Sequence, residues 1–378
     1  MNSQAHYKEN VFNHGPDYFD AILRDIDNAK KSIIIEIYAF KIDPLGKKIL
    51  KALKDASKRG VSVRVLVDGA GTPSWHGRYI NQLEASGAQT KVFHPFPWQF
   101  WQWHRSVSQL PLLLRIFFFI THVNSRTHRK IFIIDEKITY IGSFNIDVRH
   151  IGINGSRPWR DTGVRLENAE IDLLLATFEK LWHPPARLRE RIQHFTTHRT
   201  YDSIRLNHNR QNRRNLYKYL LRRIAKSKKR IWITNAYFVP NIFLLKKLKD
   251  AAKKGVDVRI LLPKYSDVPM MPWTSRTFYY GLLTAGIRIF EYRPSMLHAK
   301  TIVLDDRAYV GTSNLNHRSL LHDLEIDVSL KSPDNRASIA KDFLRDIKEA
   351  DEVAIDRPHH RWYQRSVGRI LFYLRYLM

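Results

Sequence analysis

The chain has 378 residues, 44% of them hydrophobic, enough for a sizeable core and too many for a disordered or low-complexity protein. It contains no cysteine, which excludes disulfide frameworks and thiolate metal sites and fits a reducing compartment. Its formal net charge of +27 points to polyanionic partners: nucleic acid, an anionic membrane surface, or both.

The N-terminal stretch MNSQAHYKEN is polar and has no apolar run of the signal-peptide kind. The first element with a clear pattern is IIIEIYAF (Ile33 to Phe40), an apolar, β-branched run of the buried-strand type. LGKKILKALKDASKRG (Leu45 to Gly60) follows, with apolar residues at helical spacing and a glycine stop. VRVLVD (Val63 to Asp68) reads as a second buried strand. After Gly87 comes a long segment, 94–126, rich in aromatics and free of acidic residues: HPFPWQFWQWHRSVSQLPLLLRIFFFITHVNSR. Its longest apolar run, Leu110 to Ile120, is broken by Arg115 and falls short of the roughly 20 residues that span a bilayer. HRKIFIIDEKITYIGSFN then reads as a hairpin. HPPARLRERIQHFTTHRTYD, from His183, carries two tandem prolines that argue against a continuing helix, and it is expected to be a crossover.

Beyond it the pattern returns. AKKSIIIEIYAF is echoed by SKKRIWITNAYF, LKDASKRGVSVRVLVDG by LKDAAKKGVDVRILLPK, and THRKIFIID by LHAKTIVLD. The expectation is α/β: two homologous halves, 1–195 and 196–378, each a mixed sheet flanked by helices and related by a pseudo-two-fold, with the active site between them.

One pattern in the repeat carries chemistry. His128, Lys130 and Asp135 are followed by Gly142-Ser143-Phe144-Asn145; His298, Lys300 and Asp305 by Gly311-Thr312-Ser313-Asn314. The second hairpin is one residue shorter. His and Lys two apart in a strand face the same way, as do Ser143 with Asn145 and Thr312 with Asn314. Asp135 and Asp305 belong to the HxKxxxxD motif, but an odd spacing turns them from the pocket, so they read as structural members of the catalytic set. A phosphodiester is anionic and resists attack. Lys130, Lys300, Ser143, Asn145, Thr312 and Asn314 are candidate donors to its oxygens. One histidine can attack phosphorus and the other protonate the departing alkoxide. A lone HxK is ordinarily a surface or core histidine; a second copy at the matching place of a repeat favours catalysis. A metal site is not expected, because a lysine beside each histidine repels a cation; no cofactor is called for.

These residues resemble the phospholipase D superfamily over nearly the whole chain. Within it the segments EIYAF, RGVSVRVLVDGAG, HRKIFIIDEKITYIGSFN, WRDTGVRLEN, LLTAGIRIFEY, LHAKTIVLDD and GTSNLNHRS are most similar to short bacterial cardiolipin synthases lacking N-terminal membrane helices. The resemblance implies a phosphohistidine mechanism at one site, with His128 as nucleophile and His298 as acid. It also implies that an acidic residue some thirty positions beyond each motif holds the histidine; Asp161 and Glu325 match. The sequence departs from the family pattern at Thr312, where serine often stands, and at Asp323, where asparagine often stands.

The superfamily includes lipid enzymes and endonucleases, so substrate must come from elsewhere. The link from Gly87 to His128 is about 29 residues longer than that from Gly286 to His298 on the repeat alignment. The extra chain carries Trp98, Trp101, Trp103, Phe117 and Phe118, as a membrane-contact segment requires. The alternatives are a buried core hairpin or base stacking on single-stranded nucleic acid. The tail 361–378 sets arginines among apolar residues, in keeping either with an anionic membrane surface or with a terminal helix packed on the domain. The expected protein is a peripheral enzyme of the inner face of the cell membrane that transfers phosphatidyl groups, making cardiolipin and glycerol from two phosphatidylglycerols. A hydrolase or a nucleic-acid phosphodiesterase is the alternative.

Overall fold

The computed structural model describes residues 7–108, 124–153, 155–183 and 203–355. The expected crossover after His183, the boundary at 195, residues 109–123 with Phe117 and Phe118, and the tail 361–378 lie outside the described residues.

In the first half, strands β1 (Lys8–Phe12), β2 (Ser32–Ile37), β3 (Ser62–Asp68), β4 (Gln89–Phe93), β5 (Lys130–Ile134), β6 (Ile138–Gly142) and β7 (Gly163–Glu167) form one sheet, ordered β1-β7-β6-β5-β2-β3-β4. β2, β3 and β4 run parallel, and the β5–β6 hairpin joins β2 antiparallel. Helices α1 (Gly15–Asn28), α2 (Pro44–Lys58) and α3 (Arg78–Ala85) link the strands; α4 (Asp172–Trp182) follows β7.

The second half repeats the plan. After β8 (Ile204–Leu206) and α5 (Arg210–Lys226) come β9 (Arg230–Thr234), α6 (Ile242–Lys253), β10 (Asp257–Pro263), α7 (Met270–Arg276), α8 (Tyr279–Leu283) and β11 (Arg288–Tyr292). The hairpin β12 (Thr301–Leu304) and β13 (Arg307–Gly311), then α9 (His317–Leu321), β14 (Ile326–Ser329), α10 (Pro333–Lys348) and β15 (Ala350–Glu352) complete it. The order β15-β11-β10-β9-β12-β13-β14-β8 is the first sheet's order in reverse, with β15 added at one edge. Two mixed sheets flanked by helices are the architecture read from the repeat.

The repeated local signals explain the repeated elements. Asp43 caps α2 by accepting from the Gly46 amide at 2.9 Å, and Asn241 caps α6 through Leu244 at 3.0 Å. Each helix runs out into a glycine with positive φ, Gly60 at 88° and Gly255 at 85°. α2 buries Leu45, Ile49, Leu50, Leu53 and Ala56 along one stripe; each large aliphatic contributes about 1.5–3 kcal/mol by leaving water.

Three apolar clusters result. α1, α2 and α3 cover the outer face of the first sheet; α5, α6 and α8 cover the outer face of the second. The inner faces of both sheets share the third cluster with Leu174, Phe178 and Trp182 of α4 and Phe343 of α10. Where the sheets meet, two short parallel bridges cross between halves, Thr127 with Leu324 and Arg160 with Leu297. Each bridge lies one residue before a motif histidine and one residue before an acidic candidate. The architecture therefore brings both repeats of the motif to one seam.

Candidate active site

His128 sits just before β5 and Lys130 opens that strand; Ser143 and Asn145 lie just past the end of β6. All four occupy the hairpin end beside the carboxyl ends of the parallel strands, where open α/β sheets present ligand sites. His298, Lys300, Thr312 and Asn314 repeat this in the second half. The hairpins can turn so tightly onto the next strand because glycine ends each. A Cβ on Gly142 would stand 2.5 Å from the Gly163 Cα, and one on Gly311 2.4 Å from the Ile326 carbonyl oxygen.

The acidic candidates cross over. His298 Nδ1 lies 2.7 Å from Asp161 Oδ1, and His128 Nδ1 lies 3.1 Å from Glu325 Oε2 and 3.2 Å from the Thr312 carbonyl. Each carboxylate thus holds the histidine of the other half, not that of its own motif. Carbonyl and carboxylate oxygens only accept, so Nδ1 carries the proton in both rings. That leaves Nε2 as the basic nitrogen of each neutral imidazole. No half holds a complete site.

Both lysines are buried, and each donates to the carbonyl of its own histidine, Lys130 to His128 at 2.6 Å and Lys300 to His298 at 2.5 Å. Burial pushes the Lys130 ammonium down to about 7, helped by the charge of Lys300. Burial likewise pushes Lys300 down to about 8, against the pull of Asp161 and Glu325. Burial and the lysines hold both histidines well below their ordinary range. Burial pushes the Asp161 carboxyl up, but His150 and His298 together carry it the other way, well below the carboxylate range. Glu325 is pushed up to about 7 by burial, with Lys130, Ser319 and Thr312 opposing. The two buried lysines give the site a positive charge suited to an anion. Tyr38 flanks it at 5.2 Å from His128, and Trp159 at 5.6 Å from His298, ring centre to ring centre.

The other motif members fall into two groups. Asn145 accepts from the Ala39 amide at 3.3 Å, which leaves its amide hydrogens as donors. The hydroxyls of Ser143 and Thr312 are engaged in the fold. Ser143 Oγ accepts from the Thr162 amide at 3.0 Å, while Thr312 Oγ accepts from the Ile326 amide at 2.9 Å and donates to Glu325. They brace the strand ends and, in the second half, the carboxylate. Asp135 and Asp305 are away from the site. Each stands at positive φ in its turn and accepts three backbone amides: Lys30, Lys31 and Ser32 in one case, Lys228, Lys229 and Arg230 in the other. They leave the catalytic set and serve as turn anchors. The turn, rather than strand alternation, aims them.

Two residues with site contacts were missed in the sequence reading. His150 Nδ1 lies 2.7 Å from Asp161 Oδ2, and Ser319 Oγ donates to Glu325 Oε1. Both stand five positions past the motif asparagine, so aligning GSFNIDVRH with GTSNLNHRS finds them. His150, Asp161 and His298 are also the group among the described residues that could hold a metal ion. Their donor–acceptor distances of 2.7 Å are those of direct hydrogen bonds, with Nδ1 of each histidine turned to the carboxylate.

The aromatic segment is described as far as residue 108. Gln102 and Arg105 are buried: Gln102 donates to the Thr72 carbonyl at 2.7 Å, and Arg105 pairs with Glu84 at 2.6 Å. Trp98, Phe100 and Trp101 face outward, 60%, 65% and 44% exposed, and Trp103 is half-buried. Polar anchors inside and aromatic rings outside invert the usual core pattern.

The family described as "Cardiolipin synthase, PLD-like domain" matches residues 22–182 and 220–347. A cardiolipin synthase of Clostridium perfringens (strain SM101 / Type A) is 32% identical, over 94% of this chain and 75% of its own length. Cardiolipin synthase B of Escherichia coli (strain K12) is 29% identical, over 97% of this chain and 87% of its own. Among solved structures, phosphatidylserine synthase of Haemophilus influenzae Rd KW20 has the same fold, with a TM-score of 0.71 at 13% identity, covering 98% of this chain and 93% of that one.

Proposed function

The chain belongs to the phospholipase D-like family of cardiolipin synthases, and from that premise we propose that it is a phosphatidyltransferase that joins two phosphatidylglycerols into cardiolipin and releases glycerol. The observation that carries the reading is the crossed pair His128–Glu325 and His298–Asp161, with a buried lysine beside each histidine.

The chemistry runs in two mirrored steps. Lys130, Lys300 and the Asn145 and Asn314 amides hold the phosphate oxygens, and the anion in turn favours the protonated forms of the groups around it. His128 Nε2 forms a bond to phosphorus as the bond to the glycerol oxygen breaks. His298 Nε2 delivers a proton to that oxygen, and glycerol departs. The hydroxyl of the second phosphatidylglycerol then gives its proton back to His298 and attacks phosphorus. His128 leaves unchanged. Glu325 and Asp161 fix the tautomers and balance the charge that each ring acquires.

The lipid rather than the nucleic-acid reading draws on the outward rings of Trp98, Phe100 and Trp101; the excess of positive charge suits either polyanion. Among the described residues no helix is long and apolar enough to cross a membrane. Attachment from the inner face, peripherally, is the corresponding proposal.

The test is thin-layer chromatography of purified enzyme with phosphatidylglycerol vesicles, beside a plasmid-nicking assay. Cardiolipin and glycerol are expected, and no nicking. Phosphatidic acid alone means hydrolysis, and nicking without lipid turnover means a nuclease. Rapid quench and peptide mass spectrometry should find the phosphatidyl group on His128; an adduct on His298 instead reverses the two roles.

A further inference from the structure

The two halves hold their carboxylates by the same relay built from different residues. In the second half the backbone amide of Asn314 donates to Ser319 Oγ at 2.8 Å, and Ser319 Oγ donates to Glu325. In the first half the backbone amide of Asn145 donates to His150 Nε2 at 3.3 Å, and His150 Nδ1 donates to Asp161 Oδ2 at 2.7 Å. A nitrogen that accepts an amide hydrogen carries none, so His150 is the neutral Nδ1–H tautomer. The lengths compensate: a long imidazole reaches a short aspartate, and a short hydroxyl meets a glutamate one methylene longer. His150 and Asp161 are fully buried, with the His150 ring 5.5 Å from that of His298 and 5.2 Å from that of Trp159.

We propose that His150 is a positioning residue for the protonating half of the reaction: it occupies one oxygen of Asp161 and thereby aims the other at His298. The claim rests on the transfer reading of the same site. Asp161 accepts from two imidazole donors on its two oxygens, so it cannot rotate without losing one. Among the described residues the neighbouring charged side chains turn elsewhere. The neighbouring Arg149 turns to Asp147 at 2.6 Å and stacks on Trp159, and Arg160 turns to Asp346 at 2.8 Å. Lys300 turns one of its N–H groups to the His298 carbonyl. With His150 lost, Asp161 keeps its burial and one donor, and is free to swing from His298 or to take up a proton. The second half has no such dependence on an imidazole, so the halves are chemically unequal although the motifs are the same.

The test separates proton delivery from general damage by changing the leaving group. Two donors with the same phosphatidyl group are compared in the first turnover: phosphatidylglycerol, whose glycerol alkoxide needs a proton, and phosphatidyl-p-nitrophenol, whose nitrophenolate leaves without one. His150→Ser leaves a hydroxyl too short for an aspartate. It is expected to slow glycerol release roughly 10–100-fold, the scale on which outer partners of metal-bound histidines act, and to leave nitrophenolate release nearly unchanged. His150→Ser with Asp161→Glu transplants the second-half pair and is expected to restore glycerol release. Equal loss with both donors in a protein of unchanged melting temperature, or no loss with either, overturns the proposal. If His150→Ser does not fold, His150→Asn replaces it, because its amide keeps an N–H near the Nδ1 position. It should retain both rates, and loss of both overturns the claim. An unmodified enzyme inert on phosphatidylglycerol would sink the lipid reading alone; the same leaving-group comparison then proceeds on whichever phosphodiester it cleaves.

Discussion

At the residue scale, the two lysines make the pocket's charge sensitive to pH near neutrality. Free Lys130 and Lys300 are pushed down to about 7 and about 8 by burial, first of all, and Lys130 also by its like-charged neighbour. The sign is fixed by the ammonium group: both are charged below those values and lose charge as pH rises through them. A bound phosphodiester places negative charge beside them and raises both. The kcat/KM profile, which reports the free enzyme, is therefore expected to fall above about pH 7–8. The kcat profile, which reports the complex, should hold to higher pH. Parallel alkaline limbs in the two profiles would mean that the lysines do not hold the phosphate.

At the element scale, the hairpins β5–β6 and β12–β13 are anchored at the ends opposite the site. Asp135 and Asp305 each gather three amides from the start of a neighbouring strand, which pins the hairpin onto the parallel part of its sheet. Asp135→Ala and Asp305→Ala should each cost about 1–3 kcal/mol, the scale for leaving polar groups unpaired, at its lower end because water reaches part of each turn. Denaturant unfolding measures this. Turnover of a short-chain diester by the folded fraction should stay near that of the parent. Lost turnover at unchanged stability would return these aspartates to the chemistry. Gly142 and Gly311 serve the opposite ends, where a side chain would collide with the adjoining strand.

At the scale of the whole molecule, a net charge of +27 and a row of outward aromatic rings offer two separable attractions to an anionic bilayer. The charge term is long-ranged and screened by salt, and the aromatic term is not. Raising salt should weaken binding to phosphatidylglycerol vesicles. Replacing Trp98, Phe100 and Trp101 with serine should weaken the binding that survives high salt, with the melting temperature kept, since the fold is held there by Gln102 and Arg105. Vesicle sedimentation at two salt concentrations reads both terms. Undiminished binding by the triple variant at high salt would take the segment out of the membrane contact.

Much was legible in the sequence because strand and helix patterns are local and this chain states them twice. Repetition revealed two α/β halves, a shared seam and a His, Lys and Asn from each half. The period of two in a strand placed His with Lys; the aspartates are set apart by the turns they stand in. What the sequence left undecided depends on chain segments far apart. That Asp161 serves His298 and Glu325 serves His128 follows from the bridges Arg160–Leu297 and Thr127–Leu324, which no spacing announces. The hydroxyls of Ser143 and Thr312 looked like phosphate donors until the adjoining strand supplied their partners. His150 and Ser319 occupy matching positions of the repeat but are different residues; the folded chain shows their common role by setting each between a backbone amide and a carboxylate. Local pattern therefore determined which groups the site contains, and the packing of one half against the other decided which group acts on which. Hydrogen bonds across a seam depend on positions set by the whole core rather than by neighbours in sequence.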